Sequence, residues 1–335
     1  MTLGAVNFVI VAYQKPFKSL EGDVWDRFAA ECDAGYRSSF RFLRATRILR
    51  WPKVRILLFE LYLKSDGREV KIGQAAVKSS RRDHVFEDQL QIIPAHADKW
   101  GEAMSAIITA VGTGEYRYGY PLSIEPSRAE DIKALPRASN VIPREIVVQY
   151  IDFSKWNSWD EYYKNISTNS KRNANRAEKE IANLNLEQLH GIKTLKEIFY
   201  LVNLRDEIYT QKDIKFEKIR AALSYCGRLI GYGNNSFAAS LTSNSKYLAS
   251  ISGVMFNDKI YYLDGGRDTT TRGAAWYLTI EMLRLCYARA PKGKFIMGYV
   301  DYALHDDAVG GGLLRSRQSC RTTDLTTTIV SFSVV

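Results

Sequence analysis

The sequence predicts an α/β (α+β) protein made of two mixed-sheet halves that share one order of elements. Three observations point there. Short apolar runs of strand period alternate with longer runs of helical period along the whole chain. The order strand–helix–helix–three strands–helix–strand runs once through residues 1–144 and starts again at residue 145. A length of 335 residues exceeds one small core and suits two domains of roughly 150 residues each.

In the first half, the apolar patch of MTLGAVNFVIVAYQKPF has no basic stretch before it, so it predicts a strand rather than a signal peptide. Trp25, Phe28 and Ala29 recur at helical spacing. A turn near Asp33-Ala34-Gly35 then leads to a second helix around Ser38–Leu49, with Arg37, Arg41 and Arg44 on one face. Strands follow at Val54–Lys64, Glu69–Lys78 and Phe86–Ile93, the first two joined by an Asp66-Gly67 hairpin turn. Asp98–Val111 is a helix and Tyr116–Leu122 a strand. Pro136 and Pro143 bracket a loop-like linker.

The second half opens with a strand at Glu145–Phe153, a short helix at Ser158–Asn165 and a polar helix at Lys171–Leu184. Helices at Thr194–Thr210 and Phe216–Ile230 come next. Strands at Ser236–Thr242, Tyr247–Phe256 and Lys259–Leu263 follow, the last two joined by a tight Asn257-Asp258 turn. The helix Gly273–Arg289 and the strand Lys294–Gly298 complete the order. Gly310-Gly311-Gly312 suggests either a mobile loop or a linker, and the β-prone C-terminus is left unassigned.

Composition excludes several classes. Apolar and charged fractions of 46% and 25% are globular averages, against disorder or a fibre. No apolar run approaches the roughly 20 residues that cross a bilayer. Four scattered cysteines without a CxxC pair favour a reducing, cytoplasmic setting. Four scattered histidines without ligand spacing argue against a metal site. The net charge of +10 divides into 22 Lys+Arg against 18 Asp+Glu in residues 1–145 and 25 against 19 in the rest. Both halves are mildly basic, which favours anionic ligands without a dedicated nucleic-acid tail.

The stretch Ile251–Tyr299 carries the strongest functional signal. A strand leads through a Gly/Thr-rich loop into a long helix, and unpaired amides at such a helix start suit a phosphate-bearing ligand. Arg272, Gly273, Ala274 and Ala275 form that first turn, with Arg267 and Thr271 beside it; Gly273 and Ala275 keep side chains out of the way. Gly273 equally serves as a plain helix start. Asp264, at the strand end, is placed to take a proton or order a water, or else to cap the turn before Gly265-Gly266. Tyr299 and Tyr302 are candidates to protonate a leaving thiolate, with Asp301 and His305 in the same segment. Arg172 and Arg176 share a face of the polar helix and either bind an anionic acceptor or pair with neighbours such as Glu180.

Two segments carry a family resemblance. Trp159–Ile181, WDEYYKNISTNSKRNANRAEKEI, is a helix, a short turn and a basic helix of the K/R-x-x-x-R type; Tyr261–Gly298 is a core strand, loop, long helix and strand ending in Gly. With the order of elements, the chain resembles the GNAT acyltransferase fold in its doubled, FemAB-like and CelD-type branch. That branch includes bacterial proteins that add amino acids to peptidoglycan bridges and others linked to exopolysaccharide. The resemblance implies two tandem GNAT-like domains, residues 1–144 degenerate and non-catalytic, residues 145–335 carrying the donor site. GNAT enzymes carry Arg/Gln-x-x-Gly-x-Gly/Ala at the pyrophosphate loop. Aligned on Gly273, Ala275 matches, Thr270 stands at the Arg/Gln position, and Arg267 and Arg272 would supply charge from another geometry. The corresponding Pro94–Trp100 turn has no glycine, which implies that the first half does not bind the donor.

The resemblance thus implies an acyltransferase using acetyl-CoA or another acyl-CoA as co-substrate, without metal. The acceptor would be an amine or hydroxyl on a small molecule or cell-envelope precursor. Aminoacyl-tRNA is the alternative donor, and a non-catalytic tandem binding protein the alternative to an enzyme.

Overall fold

Strands β1 (Val9–Lys15) and β2 (Arg55–Ser65) pair antiparallel, and β2 sorts its side chains by strict alternation. Phe59 and Leu61 face one cluster, Ile56 and Leu58 the other. Helices α1 (Gly22–Glu31) and α2 (Phe40–Arg50) cover the second face with Trp25 and Leu43. The structure, a computed structural model, describes residues 8–65, 68–211, 213, 215–303 and 307–335. The Asp66-Gly67 turn and His305 lie outside the described residues.

The sheet continues through β3 (Arg68–Ser80), β4 (Asp83–Phe86) and, paired with β3, the short β5 (Gln91–Ile92). Helix α3 (Trp100–Val111) lays Trp100, Ala103, Met104, Ile107 and Ile108 on the first face, and β6 (Gly114–Tyr118) joins β4 in parallel. A short α4 (Ala129–Lys133) adds Ala129 and Ile132. Arg37 does not share the α2 face. It lies in the preceding turn, paired with the buried Glu87 and set over the Tyr120 ring.

The expected linker is a strand. β7 (Ala138–Asp152) runs straight through Pro143, because the β-branched Val141, Ile142, Ile146, Val147 and Val148 outweigh one missing amide. The described chain divides into two compact units, Met1–Ile146 with Thr326–Val335, and Val147–Leu325. The last ten residues therefore cluster with the first unit, whereas the sequence placed everything after residue 144 in the second.

In the second unit, α5 (Trp159–Asn165) and α6 (Thr168–Glu180) start on Ser158 and Ser167, each accepting an amide at N3. The polar helix ends four residues before Leu184, and a strand not foreseen, β8 (Leu184–His190), follows. Helices α7 (Leu195–Gln211) and α8 (Lys218–Tyr232) precede the meander β9 (Ser236–Ser243), β10 (Lys246–Phe256) and β11 (Lys259–Arg267). Then come α9 (Ala274–Arg289), β12 (Lys294–Val300) and α10 (Asp307–Gln318). The glycine triplet lies inside α10 rather than in a loop.

The strand order of this unit is β7-β12-β11-β10-β9-β8. All neighbours are antiparallel except β11 and β12. The core packs Leu278, Met282, Leu283 and Cys286 of α9 against Phe237, Leu241, Ile251 and Phe295 of the strands. The unassigned C-terminus is β13 (Thr323–Val334), whose Val330–Val334 stretch pairs antiparallel with β6 in the first unit. Phe332 stacks on Tyr116 at 5.3 Å between centroids.

Candidate functional site

β11 and β12 are paired only over Lys259–Tyr261 and Lys294–Ile296, after which the parallel ladder ends. Each strand is bent by a bulge next to that point. On β11, Leu263 is the extra residue between Tyr262, opposite Gly253, and Asp264, opposite Ser252. On β12, Met297 is extra between Ile296, opposite Tyr150, and Gly298, opposite Gln149. A bulge turns the strand and re-aims its side chains, so the two bends open a wedge between Tyr262–Arg267 and Met297–Val300.

Two side chains of this unit lie along the strands that border the wedge. The Tyr262 hydroxyl folds back over Gly265, where any side chain would collide with it. Arg317 of α10 lies against Gly298, whose Cβ would come 2.6 Å from Nη2, and donates from Nη1 to the Tyr299 carbonyl at 3.0 Å. Gly298 has φ +138°, in the range that favours glycine. Burial pulls the Arg317 guanidinium below its ordinary value, partly offset by Tyr262 and Tyr299. The backbone of Tyr299 thus borders the wedge, while Tyr302 lies beyond β12 with an exposed ring.

Asp264 has a different setting from the one the sequence suggests. One carboxylate oxygen pairs with Arg205 of α7 and the other with Arg228 of α8. Arg205 also donates to the Tyr225 hydroxyl at 2.6 Å. With both oxygens engaged, Asp264 ties two helices to β11 rather than capping the Gly265-Gly266 turn.

The loop between β11 and α9 is organised by a residue that sequence reasoning passed over. Asp268 is only 4% exposed. Its carboxylate accepts from the Thr270 amide at 2.9 Å, the Thr270 hydroxyl at 2.6 Å, the Thr271 hydroxyl at 2.8 Å and the Lys246 ammonium at 2.5 Å. Burial alone would raise this carboxyl. The Lys246 and threonine donors instead hold it well below the usual carboxylate range. The Thr270 and Thr271 hydroxyls therefore point at Asp268, not outward. An Asp two residues before a Thr in a post-strand loop is an Asx-turn signal, and it was legible in the sequence.

Gly273 caps α9 at φ +83°, and a Cβ there would strike the Asn173 carbonyl of α6. Ala274 is fully buried and Ala275 half-buried, so this corner is a close crossing of two helices, with Ala174 and Ala177 supplying the small face of α6. Four exposed arginines belong to the same segments: Arg267 and Arg272 at the two ends of the loop, Arg172 and Arg176 on α6. Arg172 donates to Asn169 at 2.9 Å, and Arg176 lies 3.6 Å from Glu180. Arg172 adjoins Asn173 and Arg272 adjoins Gly273, so the crossing itself brings these two backbones together.

Among the described residues, no group of three His, Cys, Asp or Glu is arranged to hold a metal ion, and no helix is long and apolar enough to cross a membrane. No family model matches the chain, and no curated protein matches it. Solved structures do. The chain is similar to FemX with a TM-score of 0.66 at 10% identity, covering 96% of this chain and 97% of that one. A tandem GNAT protein from the clavulanic acid biosynthesis pathway gives 0.53 at 12% identity, covering 98% of each. L-PGS from Bacillus licheniformis gives 0.53 at 11% identity, covering 94% of this chain and 91% of that one. Likeness at this level of identity concerns the backbone alone: the chain has a tandem GNAT-like fold.

Proposed function

We propose that the second unit is an acyltransferase and that the β11–β12 wedge is where its donor's acyl group lies. The observation that carries this reading is the parting of two parallel strands after three residue pairs, with exposed Arg267 and Arg272 at the two ends of the loop that leads from β11 to α9 and exposed Arg172 and Arg176 on α6, which crosses the α9 start. A thioester or ester threaded between parted strands meets backbone amides that can polarise its carbonyl. The donor's phosphates would lie toward Arg172, Arg176, Arg267 and Arg272, with the α9 amides from Arg272 to Ala275 and Thr271 as the sequence suggests. An amine or hydroxyl acceptor, from a small molecule or a cell-envelope precursor, would attack the carbonyl carbon and give up its proton to solvent water; the donor's bond to its leaving group would then break, and Tyr302 or Tyr299 would protonate that leaving group and regain a proton from solvent. The first unit would be non-catalytic, the co-substrate acyl-CoA, and the setting cytoplasmic, with no metal required.

A second donor has a specific observation in its favour. Asp268 places a carboxylate at the centre of the loop and turns both threonine hydroxyls inward, while Gly273 faces α6. This leaves exposed arginines more than an inward-facing cradle, which suits the backbone of an aminoacyl-tRNA at least as well as a compact diphosphate.

The test is a thermal-shift and calorimetric titration with CoA, acetyl-CoA and charged tRNA. Saturation at 100 times the dissociation constant adds about 2.7 kcal/mol. A response to CoA supports the first donor. A salt-sensitive response to tRNA, with transfer activity destroyed by RNase, supports the second. No response to any of them, with no transfer to amine acceptors, removes the transferase reading in favour of a binding protein.

A further inference from the structure

From Arg41 to Arg55 the chain reads RFLRATRILRWPKVR, six cations and no acid. All six are exposed, and none makes an ion pair among the described residues. The inner side of α2 is apolar: Leu43 is buried with Ile56 and Leu58 of β2. On its outer side Arg41, Arg44, Ile48 and Trp51 follow at spacings of three and four, so they line one exposed stripe. The stripe ends apolar. Ile48 is 65% exposed, Leu49 53% and Trp51 75%, and Trp51 is the one tryptophan of the chain that is exposed.

The turn between β3 and β4 adds charge beside this tip. Ser80 Oγ donates to the Lys53 carbonyl at 3.0 Å, and Arg55 lies opposite Ser79, which brings exposed Arg81 and Arg82 alongside. The acids on the adjoining strand starts are Asp83 and Glu115. Asp26 holds the Phe40 amide at 2.6 Å, at the opposite end of α2. Arg47 lies 4.9 Å from the centroid of the Phe17 ring, and the side chains of Arg44 and Lys53 have no partner among the described residues. Cations therefore dominate the end of α2, and they surround large apolar side chains that water cannot solvate well.

An exposed apolar patch rimmed by polar groups marks an interaction surface, and the charge selects its partner. Nucleic acid would use the cations and the face of Trp51, because backbone contacts and stacking hold it. It would leave Ile48 and Leu49 in water. An anionic bilayer surface uses every group present. An indole ring sits well at the level of the headgroups, and aliphatic side chains reach the acyl boundary below them. Arginine and lysine lay their stems on apolar surface while their charges stay among the lipid phosphates.

We propose that the end of α2, from Arg44 to Arg55, docks the first unit on the surface of an anionic lipid bilayer. Ile48, Leu49 and Trp51 enter the headgroup layer, and the surrounding cations meet lipid phosphates. This assignment is independent of the transferase reading of the second unit, and its test uses neither donor nor acceptor.

The full chain is mixed with vesicles of phosphatidylcholine alone or of phosphatidylcholine with one quarter phosphatidylglycerol. Binding is read by co-sedimentation and by tryptophan emission. The anionic vesicles are expected to bind about tenfold more tightly or better, with a blue shift of emission. Trp51→Phe should keep most of the binding and lose the blue shift, because the other tryptophans stay within the protein. Ile48→Ser with Trp51→Ser, and separately Arg44→Glu with Lys53→Glu, should each weaken binding about tenfold or more. All four side chains are exposed, so the urea midpoints should stay at the wild-type value. Equal binding to both vesicles, no binding to either, or binding that both pairs of substitutions leave intact overturns the proposal. Retention on tRNA without vesicle binding, lost with Arg44→Glu and Lys53→Glu but kept with Ile48→Ser and Trp51→Ser, also overturns it and gives the surface to nucleic acid. The wild-type comparison of the two vesicles decides the matter even where a variant does not fold.

Discussion

The carbonyl oxygen of Asn173 occupies the space in which a Cβ on Gly273 would sit. The residue that sequence pattern singles out as a phosphate-loop glycine is thus also the contact point of α6 and α9.

Gly273→Val is therefore expected to lower stability first. A left-handed φ of +83° costs a β-branched residue about 1–3 kcal/mol, and displacing the backbone of α6 adds to it. Urea denaturation should show the loss, while Arg272→Ala, on an exposed side chain, stays within about 0.5 kcal/mol of the wild type. A Gly273→Val chain of unchanged midpoint that no longer binds donor would return this residue to a purely ligand-facing role.

Asp264→Ala leaves the Arg205 and Arg228 side chains, 20% and 18% exposed, without their shared counter-charge. Removing one partner of a largely buried cluster costs about 3 kcal/mol, so the denaturation midpoint should fall sharply. Loss of transfer activity at an unchanged midpoint would instead mark Asp264 as the general base.

Stability should also depend on pH through Glu125. Its folded value of about 7 lies above its ordinary 4.5, so between the two the folded chain keeps a proton that the unfolded chain releases. The stability tied to this group is complete below the lower value and is lost as pH rises through the upper one. The wild type should lose about 3 kcal/mol across that window, and Glu125→Gln should flatten the curve. Asp26, raised by burial to about 6, leaves the variant a smaller slope at lower pH. Parallel curves for the two proteins would place the titration elsewhere.

Gly312 lies within α10, and a Cβ built there meets nothing within 4 Å. Gly312→Ala should therefore stabilise the chain by about 0.4–1 kcal/mol, because a helical alanine loses less freedom on folding than glycine. A measured loss of stability would show that α10 leaves its helical form in the folded state.

Much of the fold was legible locally. Alternation along β2, the Asn257-Asp258 turn and the apolar face of α9 depend on residues within a few positions of one another, and they appear where the sequence places them. β8 was missed because the adjacent polar Glu187 and Gln188 break the alternation begun by Leu184, Asn185 and Leu186, and the strand is only half-buried. α10 was missed because three glycines suggest a loop, and helix formation there overrides a weak local preference.

By itself, the sequence determined the period of the strongly patterned segments, hence the class and much of the order of elements, and the mildly basic charge that favours anionic partners. The tertiary structure alone decided which strand the C-terminus joins, that Asp264 meets Arg205 across 59 positions of sequence, and that Asn173 closes over Gly273. The reason is physical. Periodicity is a property of neighbouring residues, while partners, crossings and buried charges are fixed only when distant segments are packed together and every buried polar group must find a mate.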